Sequence, residues 1–250
     1  ILGLIGSTPM VKINTVTKDI PATVYAKLES YNPGHSTKDR IAFHIIENAE
    51  KRGLLKEDSV VVETTSGNTG FSLAMVCIIK GYKCILAVSD KTKPEKIAYL
   101  KALGATVYVC PANVPAADPR SYYEVAKRIA AETPNSLYIN QYFNELNIDA
   151  HYQTTGPEIW DQTEGKITHL FACTGTGGTL SGSAKYLKEK NPNIKIIGVD
   201  ADGSILKSFH ETGEINKEDV HPYQIEGMGK NLIPSALLFD KVDEFVRVND

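Results

Sequence analysis

Hydrophobic and polar positions along this chain follow two rhythms. Residues 23–29 (Thr-Val-Tyr-Ala-Lys-Leu-Glu) alternate with period two and stop before Pro33-Gly34, which predicts a strand and a turn. From residue 36 to Gly53 the apolar positions Ile41, Ile45, Ile46 and Ala49 recur at helical spacing, and Gly53 stops the helix. Val60-Val61-Val62 predicts a short buried strand, residues 69–80 a helix closed by Gly81, and residues 84–88 a strand. A helix over 94–103 opens on Pro94 and closes at Gly104. A strand over 106–110 and a helix over 122–131, stopping before Pro134, complete this half. The alternation then resumes with a short helix at 157–162, a strand at 169–173, a helix at 179–190 ending at Asn191-Pro192, and strands at 194–199 and 242–248. Short apolar strands alternating with helices predict an α/β fold with two open, mostly parallel sheets covered by helices on both faces. A changeover between them is expected near residues 134–150. The last strand ends with no helix to cover it, as in a fold whose C-terminal part is missing from these residues.

Bulk composition narrows the class. With 250 residues, 42% hydrophobic and 23% charged, the chain has the make-up of a soluble globular protein of one or two domains. A formal net charge of -3 offers no basic field for nucleic acid, and no polybasic segment marks a membrane surface. No apolar run approaches the roughly 20 residues of a membrane span. The opening Ile1-Leu2-Gly3-Leu4-Ile5-Gly6 lacks the basic leader of a signal peptide. Cys77, Cys84, Cys110 and Cys173 are dispersed in apolar runs with no Cys-x-x-Cys. Packed, reduced thiols in a cytoplasmic protein are expected, with no metal site.

Three stretches carry candidate chemistry. In Asn32-Pro33-Gly34-His35-Ser36-Thr37-Lys38, Lys38 lies just inside a predicted helix with Ser36 as its expected N-cap. The positive end of a helix disfavours an ammonium, and an amine held partly neutral can condense with an aldehyde. Alternatively, Lys38 is a solvated lysine in a first helical turn. Thr64-Thr65-Ser66-Gly67-Asn68-Thr69-Gly70 joins a strand to a helix and gathers hydroxyls, an amide and a helix N-terminus on an anion. Thr174-Gly175-Thr176-Gly177-Gly178-Thr179 does the same, its glycines opening the backbone N–H groups to a phosphate. Tight strand-to-helix turns also favour Gly and Ser for steric reasons alone. Neither loop is a Walker A sequence, and the second does not match Gly-x-Gly-x-x-Gly. A replacement of Gly177 by Val is expected to block the backbone's approach to a phosphate and leave the fold intact.

Taken in order, Asn-Pro-Gly-x-Ser-x-Lys-Asp-Arg, Thr-Ser-Gly-Asn-Thr-Gly and Gly-Thr-Gly-Gly-Thr closely resemble the motifs of the pyridoxal-phosphate β-synthase family, which includes cysteine synthase and cystathionine β-synthase. The resemblance extends to Gly6-Ser7-Thr8-Pro9-Met10-Val11, Gln141-Tyr142, Thr154-Thr155-Gly156-Pro157-Glu158-Ile159 and Glu226-Gly227-Met228-Gly229. It implies the tryptophan synthase β-like fold type II, with a larger phosphate-binding domain at 1–35 plus 143–250 and a smaller substrate domain at 36–142. It implies pyridoxal 5'-phosphate as cofactor, with Lys38 as the lysine that binds it covalently and Asn68 as the residue bonded to its ring hydroxyl. Gly175, Thr176, Gly177, Gly178 and Thr179 match the phosphate cup. Thr65, Ser66, Gly67, Thr69 and Gln141 match the groups that hold the substrate α-carboxylate, and Glu226 and Gly227 lie on the substrate side.

Local features lean toward the cystathionine β-synthase branch, joining L-serine or an activated serine to homocysteine. Gly198-Val199-Asp200-Ala201-Asp202-Gly203-Ser204-Ile205-Leu206 resembles that branch, and Glu226 stands where cysteine synthases carry Gln. Thr155-Gly156-Pro157-Glu158-Ile159-Trp160 looks more like cysteine synthase, and Lys230-Asn231-Leu232 matches neither. Cysteine synthesis from O-acetylserine and sulfide is the alternative; a non-catalytic phosphate-binding module of the same fold is another. The resemblance further implies small amino-acid substrates, a homodimer, and no nucleic-acid or membrane partner.

Overall fold

The computed structural model describes residues 1–65, 67–115 and 117–250. In chain order its elements are β1 (Met10–Ile13), β2 (Val24–Lys27), α1 (Lys38–Lys51), β3 (Val60–Thr64), α2 (Asn68–Lys80), β4 (Lys83–Ser89), α3 (Pro94–Ala102), β5 (Thr106–Cys110) and α4 (Tyr122–Glu132). There follow β6 (Ser136–Tyr138), α5 (Glu145–Gln153), α6 (Thr155–Gln162), β7 (His169–Cys173), α7 (Gly178–Lys190), β8 (Lys195–Ala201), α8 (Leu206–Thr212) and β9 (Glu244–Val248). They divide between two units: Pro33–Gln141 with Leu2, and Gly3–Asn32 with Tyr142–Asp250 and Ile1.

The Pro33–Gln141 unit is built on a four-stranded parallel sheet of order β5-β4-β3-β6. β3 is central, and all five of its residues are buried, which is why its sequence is a β-branched run and not an alternation. Helix α1 buries Ile41, Ala42, Ile45, Ile46 and Ala49 and packs on α2. Helix α2 is apolar nearly all round and ends at Gly81, whose φ of 82° makes the left-handed turn that favours glycine. Helix α4 lays Val125 and Ala126 against Val60, Val62, Ala87 and Cys110 of the sheet.

The second unit holds an antiparallel pair, β1 with β2, and a three-stranded parallel sheet of order β7-β8-β9. Its core gathers Leu180, Ala184 and Leu187 of α7 with Ile194, Ile196, Leu206, Leu237, Val242 and Phe245. Two expectations need correcting here. The strand at 242–248 begins at Glu244 and is not bare: α8 packs against it, Phe245 is buried, and the Lys207 ammonium caps its carbonyl at 3.0 Å. Cys173 is exposed because β7 turns one face outward, whereas Cys77, Cys84 and Cys110 are buried; none of the four is in a disulfide. No described helix is long and apolar enough to cross a membrane. Among the described residues, no group of three or more His, Cys, Asp or Glu is placed to hold a metal ion.

Candidate active site

In the Pro33–Gln141 unit, the turn at Pro33-Gly34 delivers Lys38 to the first position of α1. Asp39, fully buried, locks that turn. It accepts from the Gly34 N–H and from the Ser72 hydroxyl of α2. A Cβ at Gly34 would run into this carboxylate, so the glycine is required by space. The expected cap is shifted by one residue. Thr37 takes the cap position without a side-chain bond, and the Ser36 hydroxyl accepts from the Lys38 N–H at 3.2 Å.

The loop after β3 lies between two anchors. Thr65 is buried and its N–H donates to Ala87 of β4 at 3.0 Å, and its hydroxyl accepts from Gly67 N–H at 3.2 Å. Asn68 then opens α2 after Gly67, with no side-chain cap on the helix. The orphan N–H groups of such a terminus are ready donors to an anion. Thr69 donates its hydroxyl to Gln141 Oε1 at 2.8 Å, and Gln141 Nε2 reaches the Thr64 carbonyl at 3.4 Å. The structure thus brings Thr65, Gly67, Thr69 and Gln141 together, with Asn68 beginning the helix they flank; Ser66 lies outside the described residues. The side-chain oxygens of Thr37 and Thr64 are buried with no hydrogen-bond partner among the described residues. A bound water or ligand is one way to satisfy such atoms.

Behind this loop sits a residue that sequence reasoning passed over. Glu63 is fully buried and accepts from Thr64 N–H at 2.6 Å and Gln141 N–H at 3.1 Å. Burial pushes its carboxyl up to about 8 against the opposing pull of those two N–H groups. The available signal was a lone charge closing an otherwise apolar strand, Val-Val-Val-Glu.

In the second unit, the loop 174–179 leads from β7 into α7. Thr174 is buried and fixed to Val199 of β8 by both its N–H, at 2.9 Å, and its hydroxyl, at 3.0 Å. Gly177 has a φ of 87° and precedes an α7 N-terminus with no side-chain cap. A Cβ at Gly175 would meet the Gly227 carbonyl, at Gly177 the Leu237 backbone and side chain, and at Gly178 the Asn147 amide. The loop is therefore stripped to its backbone by packing from behind. This corrects the expectation for Gly177→Val, which strains the left-handed backbone and collides with Leu237, so that the fold itself suffers. Gly229 N–H donates to the Thr174 carbonyl at 2.7 Å, which sets the 226–229 segment beside the loop. Glu226 on it is exposed. The Lys230 ammonium lies 5.2 Å from the centre of the Tyr142 ring, and burial lowers its pKa.

The threonines of this loop are held by side chains the sequence reading did not single out as site residues. Asn147 Nδ2 donates to Thr176 Oγ1 at 2.9 Å. His151, buried on α5, contacts Thr179 Oγ1 through Nε2 at 3.1 Å and Thr155 Oγ1 through Nδ1 at 2.8 Å. Asn147 and His151 are four residues apart on one face of α5, and that spacing was the available signal.

A strand-to-helix loop bared to its backbone, and a hydroxyl-lined helix start beside a lysine-bearing turn, are arrangements that suit anionic groups such as a phosphate or a carboxylate. The chain belongs to the pyridoxal-phosphate dependent enzyme family, whose model matches residues 1–250. It is 44% identical to cystathionine β-synthase of Apis mellifera over the whole chain and 49% of that protein, and 44% identical to that of Rattus norvegicus over 44% of its length. Cysteine synthase 1 of Neurospora crassa is 40% identical over 99% of this chain and 66% of its own. Among solved structures, a hydrogen sulfide-producing enzyme from Fusobacterium nucleatum superposes with a TM-score of 0.88 at 38% identity, covering 100% of this chain and 78% of that one. The chain spans about half the length of the cystathionine β-synthases it matches.

Proposed function

We propose that this chain carries the cofactor and amino-acid sites of a β-replacement enzyme that joins L-serine, or an activated serine, to homocysteine and yields cystathionine. The observation that supports it best is that both glycine-rich loops end in helix N-termini with no side-chain cap. Pyridoxal phosphate has one anionic phosphate and its amino-acid substrate one carboxylate, and each suits such a terminus. The orphaned hydroxyls of Thr37 and Thr64 and the bared backbone of Gly175, Gly177 and Gly178 fit the same ligands.

In this reading Lys38 binds the cofactor covalently, Asn68 bonds its ring hydroxyl, and Gly175, Thr176, Gly177, Gly178 and Thr179 hold its phosphate. Thr65, Ser66, Gly67, Thr69 and Gln141 receive the α-carboxylate. When bound, the cofactor supplies an electron sink for the substrate's Cα–H bond. Lys38 Nζ takes the Cα proton and later returns it. The Cβ–O bond breaks, a Cβ–S bond forms to the thiol, and with serine the oxygen departs as water. Glu226, which is exposed, and Gly227, whose carbonyl lies close to Gly175, are assigned in this reading to the side that meets the thiol's amino group. An exposed pair of this kind contributes about 0.2–1 kcal/mol, so some turnover of sulfide persists. A homodimer in the cytoplasm completes the reading by family resemblance.

A second reading, cysteine synthesis from sulfide, draws support from the likeness to the Neurospora crassa cysteine synthase. Competition on the full-length protein separates the two, with serine or O-acetylserine as donor and homocysteine and sulfide offered together. A higher kcat/KM for homocysteine is expected; a higher value for sulfide with both donors makes this a cysteine synthase and removes the role given to Glu226.

A further inference from the structure

Parallel sheets covered on both faces exclude charge unless it is matched. β3 lies between β4 and β6, yet its fourth residue is Glu63, with no exposed surface. A valine or leucine at this position would pack at lower cost, since a buried carboxyl loses its hydration. Its partners are two backbone N–H groups, one on the next residue and one far along the chain. One belongs to Thr64, where β3 gives way to the 64–70 loop; the other belongs to Gln141, 78 residues later. The Gln141 side chain extends the link, reaching the Thr64 carbonyl through Nε2 and accepting from the Thr69 hydroxyl through Oε1. One carboxyl group therefore sets the register of Gln141 against the loop that carries Thr65 and Thr69.

We propose that Glu63 is a positioning residue for the amino-acid substrate, holding the 64–70 loop and Gln141 in the arrangement that receives the α-carboxylate while touching no substrate itself. The inference rests on the carboxylate-binding role given above to that loop. Its chemistry is specific to a carboxyl group. Two N–H donors converge on two oxygens, and a carboxyl keeps a lone pair for each whether or not it carries a proton. An amide of the same shape has one acceptor oxygen and one nitrogen that donates only, so Glu63→Gln sets a donor against a donor. An aspartate, one methylene shorter, does not span both partners.

Two readouts on the full-length protein test this, hydrogen exchange of the unloaded chain and steady-state kinetics of the loaded one. In Glu63→Gln the amides of residues 64–70 and 139–142 are expected to exchange about tenfold faster, while those of α1 and β4 keep their protection. The KM for L-serine should rise about tenfold with kcat held within about threefold, and pyridoxal phosphate should be retained as in the parent. Unchanged exchange in the two segments, or a uniform rise across the unit, overturns the proposal, as does a fall in kcat alone. If the variant does not fold, the parent decides: the Thr64 and Gln141 amides must be among its slowest, and exchange at loop rates overturns the clamp. Should the parent turn over no amino acid, the functional reading fails, and the exchange result still decides whether Glu63 orders the loop.

Discussion

The Glu63 carboxyl, buried on β3, makes the folded chain hold a proton that the unfolded chain releases. Its pKa rises from the ordinary 4.5 to about 8, with burial outweighing the Thr64 and Gln141 N–H groups. The titratable neighbour on the adjacent strand is the Tyr138 phenol, itself pushed up by burial and by the charges of Glu63 and of Glu124 on α4. Because the folded value lies above the unfolded one, this group's contribution to stability is complete below about pH 4.5 and is lost as pH rises to about 8. The slope is at most about 1.4 kcal/mol per pH unit. The expected result is that the Tm difference between the parent and Glu63→Gln narrows or changes sign in the variant's favour between pH 5 and pH 8. A difference that stays flat across that range contradicts the assignment. Lys38, Asn68 and the glycines of 175–179 stand out in the sequence because the three motifs that contain them, taken in order, resemble those of the pyridoxal-phosphate β-synthase family. Glu63 was not, since one acidic letter at the end of a valine run does not reveal which backbone groups will face it.

At the scale of elements, periodicity located most of the core helices and strands, and it failed where polar residues face inward. Helix α5 was missed because Glu-Leu-Asn-Ile-Asp-Ala-His-Tyr-Gln has no apolar stripe; it buries Asn147 and His151 alongside Ile148 and Ala150. β1 was missed because a four-residue strand with an exposed valine gives too short a pattern, and β6 because three residues suffice for it to pair with β3. The start of α1 moved from Ser36 to Lys38 because the Ser36 hydroxyl reaches only two residues ahead. His151 links three helices: it lies on α5, contacts Thr155 at the head of α6 and Thr179 in the first turn of α7. His151→Ala leaves both hydroxyls without this partner and is expected to cost about 1–3 kcal/mol in denaturant unfolding. It should also weaken retention of pyridoxal phosphate through Thr179. An unchanged midpoint would show that the histidine is not structurally coupled to the loop.

For the whole molecule, the sequence made the α/β class and the parallel sheets legible, because βα alternation and glycine punctuation repeat along nearly the full chain. It did not reveal the cover that α8 provides over β9, since the seven residues Leu-Lys-Ser-Phe-His-Glu-Thr give too short a helical period, and their burial depends on Phe245 and Phe239 far along the chain. Nor did it show that Gly177 is required twice, once by its φ and once by Leu237. The family membership, the two uncapped helix starts and the Lys38 turn meet in one claim, that this chain binds pyridoxal phosphate through Lys38. Borohydride reduction of the full-length, cofactor-loaded protein, followed by peptide mapping, tests it most directly. The expected result is a single stable adduct on the peptide bearing Lys38, absent from a folded Lys38→Ala variant; a loaded protein that stays colourless, or an adduct on any other lysine, contradicts it.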